Sequence, residues 1–468
     1  MQVITLNNGV KINSIMINYK KIISLFLGVC IISIVKSQSI NWIEFSKSID
    51  SAVFENKINP KNYAVASYSL LQIEKWKNDD NVQGDSLFDL LSNWNVYPTS
   101  KQTGIICKYF IRLDTNYSVP YFVYIPKNYN KKYKTILLVY YKGGWMNSPT
   151  FQKDYYKEIL SDNPTFQYLD KYNVIEIFPA LKNDLAIYGR YGYQHLQKMI
   201  VDVKKRFNID DNKVFLSGFS DGAKTVYNVS YLAQTTFACF YAINGYFPSS
   251  SIYFPNYFNR PIVSFSATKD EISDYRSIKT KAEYVNKSGG NWAYRELPNK
   301  THFYFSYADE ILPIIFEHLN VTSRNPLPVR LAYDRGFNDD KDFTGIDWLQ
   351  MHVNTNVKPT TYAFTDSIRT LSAQGEKNNY LYGENTGQIR AQYSNNTFTI
   401  TASQVDSITI YISPLMVDMN VPIKIIVNEK ELYNQKISYS KDFMINRFFE
   451  NFDRAQIFVN KIEVKIDN

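Results

Sequence analysis

The chain has 468 residues, of which 45% are hydrophobic and 21% charged, and its formal net charge is +8. This length and apolar content exclude a disordered polypeptide and leave room for two or three domains. Four lysines and no acidic residue lie in the first 37 positions, so the remainder carries only +4. A charge this small and this dispersed does not indicate a nucleic-acid partner.

The N-terminal 37 residues have the layout of a secretory leader. Lys20 and Lys21 precede a run of 14 mostly apolar residues, 22–35, and the small Ser37 follows. This run is too short for an ordinary membrane span. We therefore predict a signal peptide over 1–37 and a secreted, periplasmic or cell-surface protein with no stable membrane span after leader removal. An N-terminal anchor helix is the alternative.

Residues 38–102 are predicted to form a helical extension. The stretches WIEFSKSIDSAVF and YSLLQIEKW repeat apolar residues at the i, i+3, i+4 spacing of a helix face. No chemistry-bearing motif occurs there, and we expect the extension to pack on the domain that follows.

Residues 103–322 alternate strands with helices, which is typical of an α/β domain built on a mostly parallel sheet. The continuous apolar runs TILLVYY and NVIEIFPA are typical of strands covered on both faces. The predicted strands are a hairpin (108–113 and 120–126) and then 135–141, 173–180, 213–219, 237–245, 261–268 and 292–297. The predicted helices cover 196–207, 223–234, 278–285 and 303–319.

Residues 323–468 have a different pattern, since NTFTITAS, SITIYIS and FVNKIEVKI alternate polar and apolar side chains at period two. This indicates a separate β-rich domain, which we expect to resemble a β-sandwich. The linker is predicted at 324–328, RNPLP.

The most informative stretch is GFSDG, between an apolar strand and a helix. A sharp strand-to-helix turn leaves no room for Cβ atoms beside its centre, so Gly218 and Gly222 permit it. Ser220 is then raised above the carboxyl edge of the sheet, where open α/β sheets bind ligands. We predict that Ser220 is a nucleophile; the alternative is a structural turn with an incidental serine.

A serine nucleophile needs a base to take its proton and an acid to orient that base. Of the four histidines, His302 is the one in a loop that follows a late strand, in LPNKTHF. The acid should follow the preceding strand, where SFSATKDEISD supplies Asp270, with Asp274 as second choice. The alternatives are a surface-loop histidine and a solvated turn carboxylate.

Hydrolysis through such a serine also needs backbone amides to bind the oxyanion. The residue after the nucleophile, Asp221, supplies one predicted amide. The loop after TILLVYY supplies the other, through Gly143 and Gly144 in KGGW. A glycine turn without a catalytic role is the alternative for this loop.

Taken together, YKGGW, GFSDGA, ATKD and NKTHF make residues 103–322 resemble the α/β-hydrolase superfamily. Within it they are most similar to secreted esterases of the polyhydroxybutyrate depolymerase-like and feruloyl-esterase-like branch. Two positions depart from that pattern: Lys142 stands where a histidine is common, and Ala267 where a glycine is common. The resemblance implies a serine carboxylic-ester hydrolase with the order Ser220, Asp270, His302.

Two other functions are compatible with the same residues. One is a serine peptidase of the prolyl-oligopeptidase type, and the other is a non-catalytic carbohydrate- or surface-binding protein with a vestigial hydrolase domain. We expect a small-molecule or polymer-linked ester as substrate, and no cofactor or metal. No CxxC motif or His/Cys cluster occurs, and Cys107 and Cys239 are interpreted as buried thiols, with a disulfide between them as the alternative.

Overall fold

The computed structural model describes residues 75–97, 103–147, 165–187, 189–247, 253–336, 343–354, 356, 367–372, 375–380 and 386–466. The predicted signal peptide and most of the predicted helical extension lie outside these residues. The domain boundaries therefore stay predictions.

An eight-stranded sheet forms the centre of the described chain. Its strands are β1 (Ile105–Arg112), β2 (Ser118–Ile125), β3 (Thr135–Tyr141), β4 (Val174–Pro179), β5 (Ile209–Phe219), β6 (Cys239–Ile243), β7 (Ile262–Ala267) and β8 (Trp292–Leu297). Their spatial order is β1-β2-β4-β3-β5-β6-β7-β8. The β1–β2 hairpin is antiparallel and joins β4 antiparallel, whereas β4, β3, β5, β6, β7 and β8 run parallel. The predicted α/β class with a mostly parallel sheet is confirmed.

Helices cover both faces of this sheet because each places one apolar stripe against it. In chain order the helices are α1 (Gly84–Ser92), α2 (Phe166–Tyr172), α3 (Gly192–Arg206), α4 (Asp221–Leu232), α5 (Tyr275–Lys287) and α6 (Ala308–Val321). Helices α3, α4 and α5 share one apolar core with the sheet, and α2 and α6 share the other. The predicted closing helix begins later than expected, since Tyr304–Tyr307 form a 3-10 turn before α6.

The C-terminal part is rich in β-structure, as predicted. Its strands are β9 (Arg330–Gly336), β10 (Gly345–Ile346), β11 (Leu349–Val353), β12 (Ser367–Ser372), β13 (Gly375–Tyr380), β14 (Thr386–Ser394), β15 (Thr397–Ser403), β16 (Val405–Ile412), β17 (Ile423–Val427), β18 (Lys430–Gln435) and β19 (Asn460–Lys465). Among the described residues they form the sheets β10-β11-β16-β19 and β18-β17-β15-β14-β9, and the hairpin β12–β13. Both larger sheets contribute to one apolar core, which is a sandwich-like arrangement.

Two features of this part differ from the sequence-based expectation. The sequence did not predict α7 (Lys441–Asn451), which Ser440 caps by accepting a hydrogen bond from the Phe443 amide. The described end of the N-terminal extension, including Trp76 and Leu91, buries its apolar side chains in the C-terminal core. The expected packing on the central part is therefore only partial, with Lys131 Nζ donating to the Tyr97 carbonyl oxygen at 3.2 Å.

Charged side chains are buried where the central and C-terminal parts meet. The Arg324 guanidinium donates to both carboxylate oxygens of Asp453, at 2.9 and 3.1 Å. Lys204 of α3 pairs with Asp211 of β5 at 3.0 Å, and Arg454 donates to Asp211 at 2.7 Å. Each of these residues is at most 7% exposed. Because buried charges require partners, the two parts are held together by matched ions as well as by apolar contact.

The two cysteines of the described chain are free thiols, one in β1 and one in β6. Cys239 is fully buried, and burial raises its pKa to about 12. Cys107 is only half-buried. Of these two cysteines, Cys239 is the one that meets the expectation of a buried thiol in full. Of the helices that the structure describes, none has the length and apolar character needed to cross a membrane.

Candidate active site

Ser220 lies in a strained turn between β5 and α4. Its backbone has φ 55° and ψ −114°, a region that non-glycine residues rarely adopt and that costs about 1–3 kcal/mol. A Cβ atom on Gly218 would lie 2.4 Å from backbone atoms of Gly222, and one on Gly222 would lie 1.9 Å from the Tyr141 carbonyl oxygen. The steric reason predicted for glycine at both positions is confirmed.

His302 lies in the loop that follows β8, and its side chain is 3% exposed. Its Nε2 atom is 2.9 Å from Ser220 Oγ. The Phe219 ring packs against the imidazole with a centroid distance of 5.1 Å. The strand order explains this proximity, because β5 and β8 run parallel and end at the same edge of the sheet.

Asp270 follows β7, and its side chain is 1% exposed. Its Oδ2 atom is 2.8 Å from His302 Nδ1, while Oδ1 accepts hydrogen bonds from the amides of Ile272 and Ser273, both at 2.8 Å. The second choice, Asp274, instead caps α5 through the Arg276 amide and pairs with the Arg276 guanidinium. The structure therefore brings Asp270, and not Asp274, to the histidine.

The loops that carry Asp270 and His302 are joined by hydrogen bonds of their own. The Lys269 amide donates to the Lys300 carbonyl at 2.9 Å, and the Asn299 amide donates to Thr268 Oγ1 at 2.8 Å. These bonds extend the β7–β8 pairing beyond the ends of the strands. The loops of Asp270 and His302 are therefore held side by side beyond the ends of their strands.

The predicted oxyanion loop, which follows β3, lies against Ser220. A Cβ atom on Gly143 would lie 2.8 Å from Ser220 Cβ, so glycine allows the close approach. Gly144 has φ +73°, which favours glycine. The Asp221 amide is the first of α4, and first-turn amides have no partner within their helix. Gly143 thus lies against Ser220, and Asp221 directly follows Ser220 in the chain.

The role of the Asp221 side chain was not predicted from the sequence. Its Oδ2 atom accepts hydrogen bonds from the amides of Trp145 (3.1 Å) and Met146 (3.3 Å), and its Oδ1 atom accepts one from Lys224 at 2.7 Å. Burial opposes ionisation of this carboxyl, but the Lys224 hydrogen bond and charge and the two amides lower its pKa overall. The carboxylate thereby ties the glycine loop to the helix that follows Ser220.

The three other histidines lie away from this cluster. His195 is buried in α3, where burial lowers its pKa to about 3. His318 bonds with the Tyr241 hydroxyl, and His352 pairs with Asp406 on the C-terminal sheets. In the described ranges, no group of three or more His, Cys, Asp or Glu side chains is arranged to hold a metal ion.

Comparison with known proteins agrees with this architecture. Residues 192–323 match the family model described as phospholipase/carboxylesterase. This segment of the chain resembles the α/β-hydrolase superfamily. The matched segment includes Ser220, Asp270 and His302, and it confirms the resemblance inferred from the motifs GFSDGA, ATKD and NKTHF.

Individual relatives are distant. A bifunctional acetylxylan esterase/xylanase of Neocallimastix patriciarum is 24% identical over 234 residues, which are 44% of this chain and 30% of that protein. The chain spans less than a third of the length of this relative. Among solved structures, a thermostable esterase has a TM-score of 0.39 at 18% identity, over 47% of this chain and 63% of that one. A CE1 ferulic acid esterase of Anaeromyces mucronatus has a TM-score of 0.35 at 16% sequence identity, and the match covers 47% of this chain and 94% of that one.

Proposed function

We propose that this α/β-hydrolase is a serine carboxylic-ester hydrolase in which Ser220, His302 and Asp270 act as nucleophile, general base and orienting acid. The observation that carries the proposal is a continuous set of two contacts. Asp270 Oδ2 is 2.8 Å from His302 Nδ1, and His302 Nε2 is 2.9 Å from Ser220 Oγ. An imidazole that donates to a carboxylate through Nδ1 presents the Nε2 lone pair to the hydroxyl, which is the tautomer a general base needs.

In the first half-reaction Ser220 Oγ attacks the ester carbonyl carbon while His302 Nε2 takes its proton. The carbonyl π electrons move to oxygen, where the Asp221 amide and the Gly143–Gly144 loop would bind the negative charge. Collapse of this intermediate breaks the bond to the alcohol oxygen, which takes the proton from Nε2. The acyl group is left on Ser220, and water activated by His302 then releases the carboxylic acid.

A fluorophosphonate probe tests the nucleophile. We expect wild type to be labelled, Ser220→Ala to be unlabelled and His302→Ala to be labelled far more slowly, because the probe phosphonylates only an activated hydroxyl. Ser323→Ala, which changes an exposed serine directly before the predicted linker, is the matched control and should label like wild type. We also expect a p-nitrophenyl acyl ester to be cleaved at least about 100-fold faster than an aminoacyl nitroanilide.

Three other results of these two assays would contradict the proposal, each in a different part. Labelling of Ser220→Ala would contradict the assigned nucleophile. Absence of labelling in folded wild type would favour the non-catalytic protein. Faster cleavage of the anilide would favour the peptidase.

We further propose that the protein is secreted after removal of residues 1–37. The support is the order of Lys20 and Lys21, a 14-residue apolar run and a small residue. Expression in a secretion-competent host should give a mature N-terminus near Gln38, as determined by N-terminal sequencing. A control with Asp at two positions of the apolar run should keep the leader. An intact leader on exported wild type would indicate an anchor instead.

A further inference from the structure

The Asn244 side chain makes no hydrogen bond to the side chains of Ser220, Asp270 and His302. It bonds instead to the segments that carry the last two. It directly follows β6, the strand that separates the nucleophile strand β5 from the acid strand β7. It is 1% exposed and has a φ of +46°. Asparagine is among the few non-glycine residues that tolerate this left-handed backbone.

The side-chain amide of Asn244 joins the acid loop to the base loop. Its Oδ1 atom accepts from the Ala267 amide at 3.0 Å, at the end of β7. Its Nδ2 atom donates to the His302 carbonyl at 2.7 Å and to the Tyr307 hydroxyl at 2.6 Å. The Tyr307 hydroxyl in turn donates to the Thr301 carbonyl at 2.6 Å. Both hydrogens of Nδ2 thus have acceptors on the segment that carries His302.

The backbone beside this side chain reaches the remaining parts of the cluster. Ser273 Oγ donates to the Asn244 carbonyl at 3.3 Å, and the Ser273 amide is one of the two that hold Asp270. The carbonyl of Ile243 accepts from the Ser220 amide at 3.0 Å. Residues 243 and 244 therefore have hydrogen bonds to the nucleophile turn, the acid loop and the base loop.

We propose that Asn244 is a positioning residue that holds the His302 loop at the separation from the Asp270 loop that proton transfer requires, a role that rests on the proposed function. Such geometry has to be kept within about 0.5 Å, and a displacement of about 1 Å can lower the rate about 100-fold. Since Asn244 is 1% exposed and its side chain bonds to the loops of Asp270 and His302, we expect it to affect turnover and not substrate binding.

Asn244→Gly is the decisive variant, because glycine accepts the positive φ and removes only the side-chain bonds. We expect kcat for a p-nitrophenyl ester to fall about 10- to 100-fold with KM within about twofold. Tyr307→Phe, which removes one partner of Nδ2 and keeps the ring, should lower kcat several-fold. It serves as the second variant if the glycine protein does not fold.

Asn256 offers a matched control, since it is also fully buried and its side-chain amide also takes part in three hydrogen bonds. It donates to the carbonyls of Tyr231 (2.6 Å) and Asp334 (2.9 Å) and accepts from the Asp334 amide (2.7 Å), away from the cluster. Asn256→Ala should lower the thermal midpoint without changing kcat of the folded fraction.

A double-mutant cycle with Asp270→Ala distinguishes a positioning role of Asn244 from a general weakening of the fold. In an Asp270→Ala background the further loss of kcat caused by Asn244→Gly should shrink to less than about threefold, because the carboxylate being positioned is gone. An undiminished loss in that background, or an Asn244→Gly kcat within about threefold of wild type, would overturn the proposal. An inactive, unlabelled wild type would instead overturn the proposed function, and the role of Asn244 with it.

Discussion

Replacing Asp270 with asparagine is expected to lower kcat for an ester substrate by about 10⁴-fold, with KM within about threefold of wild type. The reason lies in how the carboxylate is held. Two backbone amides, of Ile272 and Ser273, donate to Oδ1, so an asparagine would place its carbonyl oxygen there. Its NH₂ group would then point at His302 Nδ1 in place of Oδ2.

That orientation favours the other tautomer of the His302 imidazole. Nδ1 would accept the hydrogen bond, the proton would reside on Nε2, and the atom facing Ser220 could no longer take a proton. Steady-state kinetics with a p-nitrophenyl ester, together with the rate of fluorophosphonate labelling, measures the loss. Both rates should fall by a similar factor, because the same proton transfer precedes both reactions.

Asp274→Asn is the control for this substitution. Asp274 lies four residues further along the same loop, but it caps α5 and pairs with Arg276. We expect its kcat to stay within about twofold of wild type and its thermal midpoint to fall slightly, since a helix cap is weakened. If Asp270→Asn kept more than a tenth of wild-type kcat, Asp270 would not be the orienting acid.

The turn at Ser220 could be predicted from the sequence because its constraints are local. Gly218 and Gly222 are required by contacts within a few residues of Ser220 and with the end of the adjacent β3 strand. The parallel order of strands then brought the predicted loops to one edge, as the geometry of parallel sheets requires. Which carboxylate contacts His302 depended on loop geometry, and for that reason Asp274 stayed open.

What the sequence did not predict depends on distant partners. Asn244 is one asparagine after a strand in an asparagine-rich chain, and its partners lie 23 to 63 residues away. The Asp221 carboxylate binds amides 75 and 76 residues away. Helix α7 did have a local signal, because Ser440 precedes the apolar pair Met444 and Ile445 and then Phe448 at helical spacing. The surrounding period-two strands obscured it.

The interface between the central and C-terminal parts allows a second large effect to be predicted. Asp453→Asn should lower the free energy of unfolding by about 3–5 kcal/mol at neutral pH, since it leaves Arg324 and Lys204 buried with less negative charge. Arg324 donates to both oxygens of Asp453, and Lys204 lies 3.6 Å from one of them. Because asparagine has nearly the same volume, the change tests charge and not packing. Urea denaturation followed by circular dichroism measures it.

The pH dependence of this difference follows from the same contacts. Burial opposes ionisation of Asp453, but the charges of Arg324 and Lys204, with hydrogen bonds from Arg324 and the Ala455 amide, hold its pKa below the usual value. A carboxyl whose folded-state pKa is lowered contributes its full stability above the unfolded-state pKa, about 3.9, and loses it as the pH falls through the folded-state pKa. The stability difference between wild type and Asp453→Asn should therefore shrink below about pH 4.

Glu463→Gln is the matched control for Asp453→Asn, since it removes a carboxylate from the exposed pair with Lys461. Its free energy of unfolding should stay within about 1 kcal/mol of wild type, because water and salt screen exposed pairs. Equal losses from the two substitutions, or a difference for Asp453→Asn that does not change with pH, would contradict a stabilising role for the buried ions. In that case apolar contacts such as that between the rings of Tyr193 and Phe343, with centroids 4.9 Å apart, would have to hold this interface.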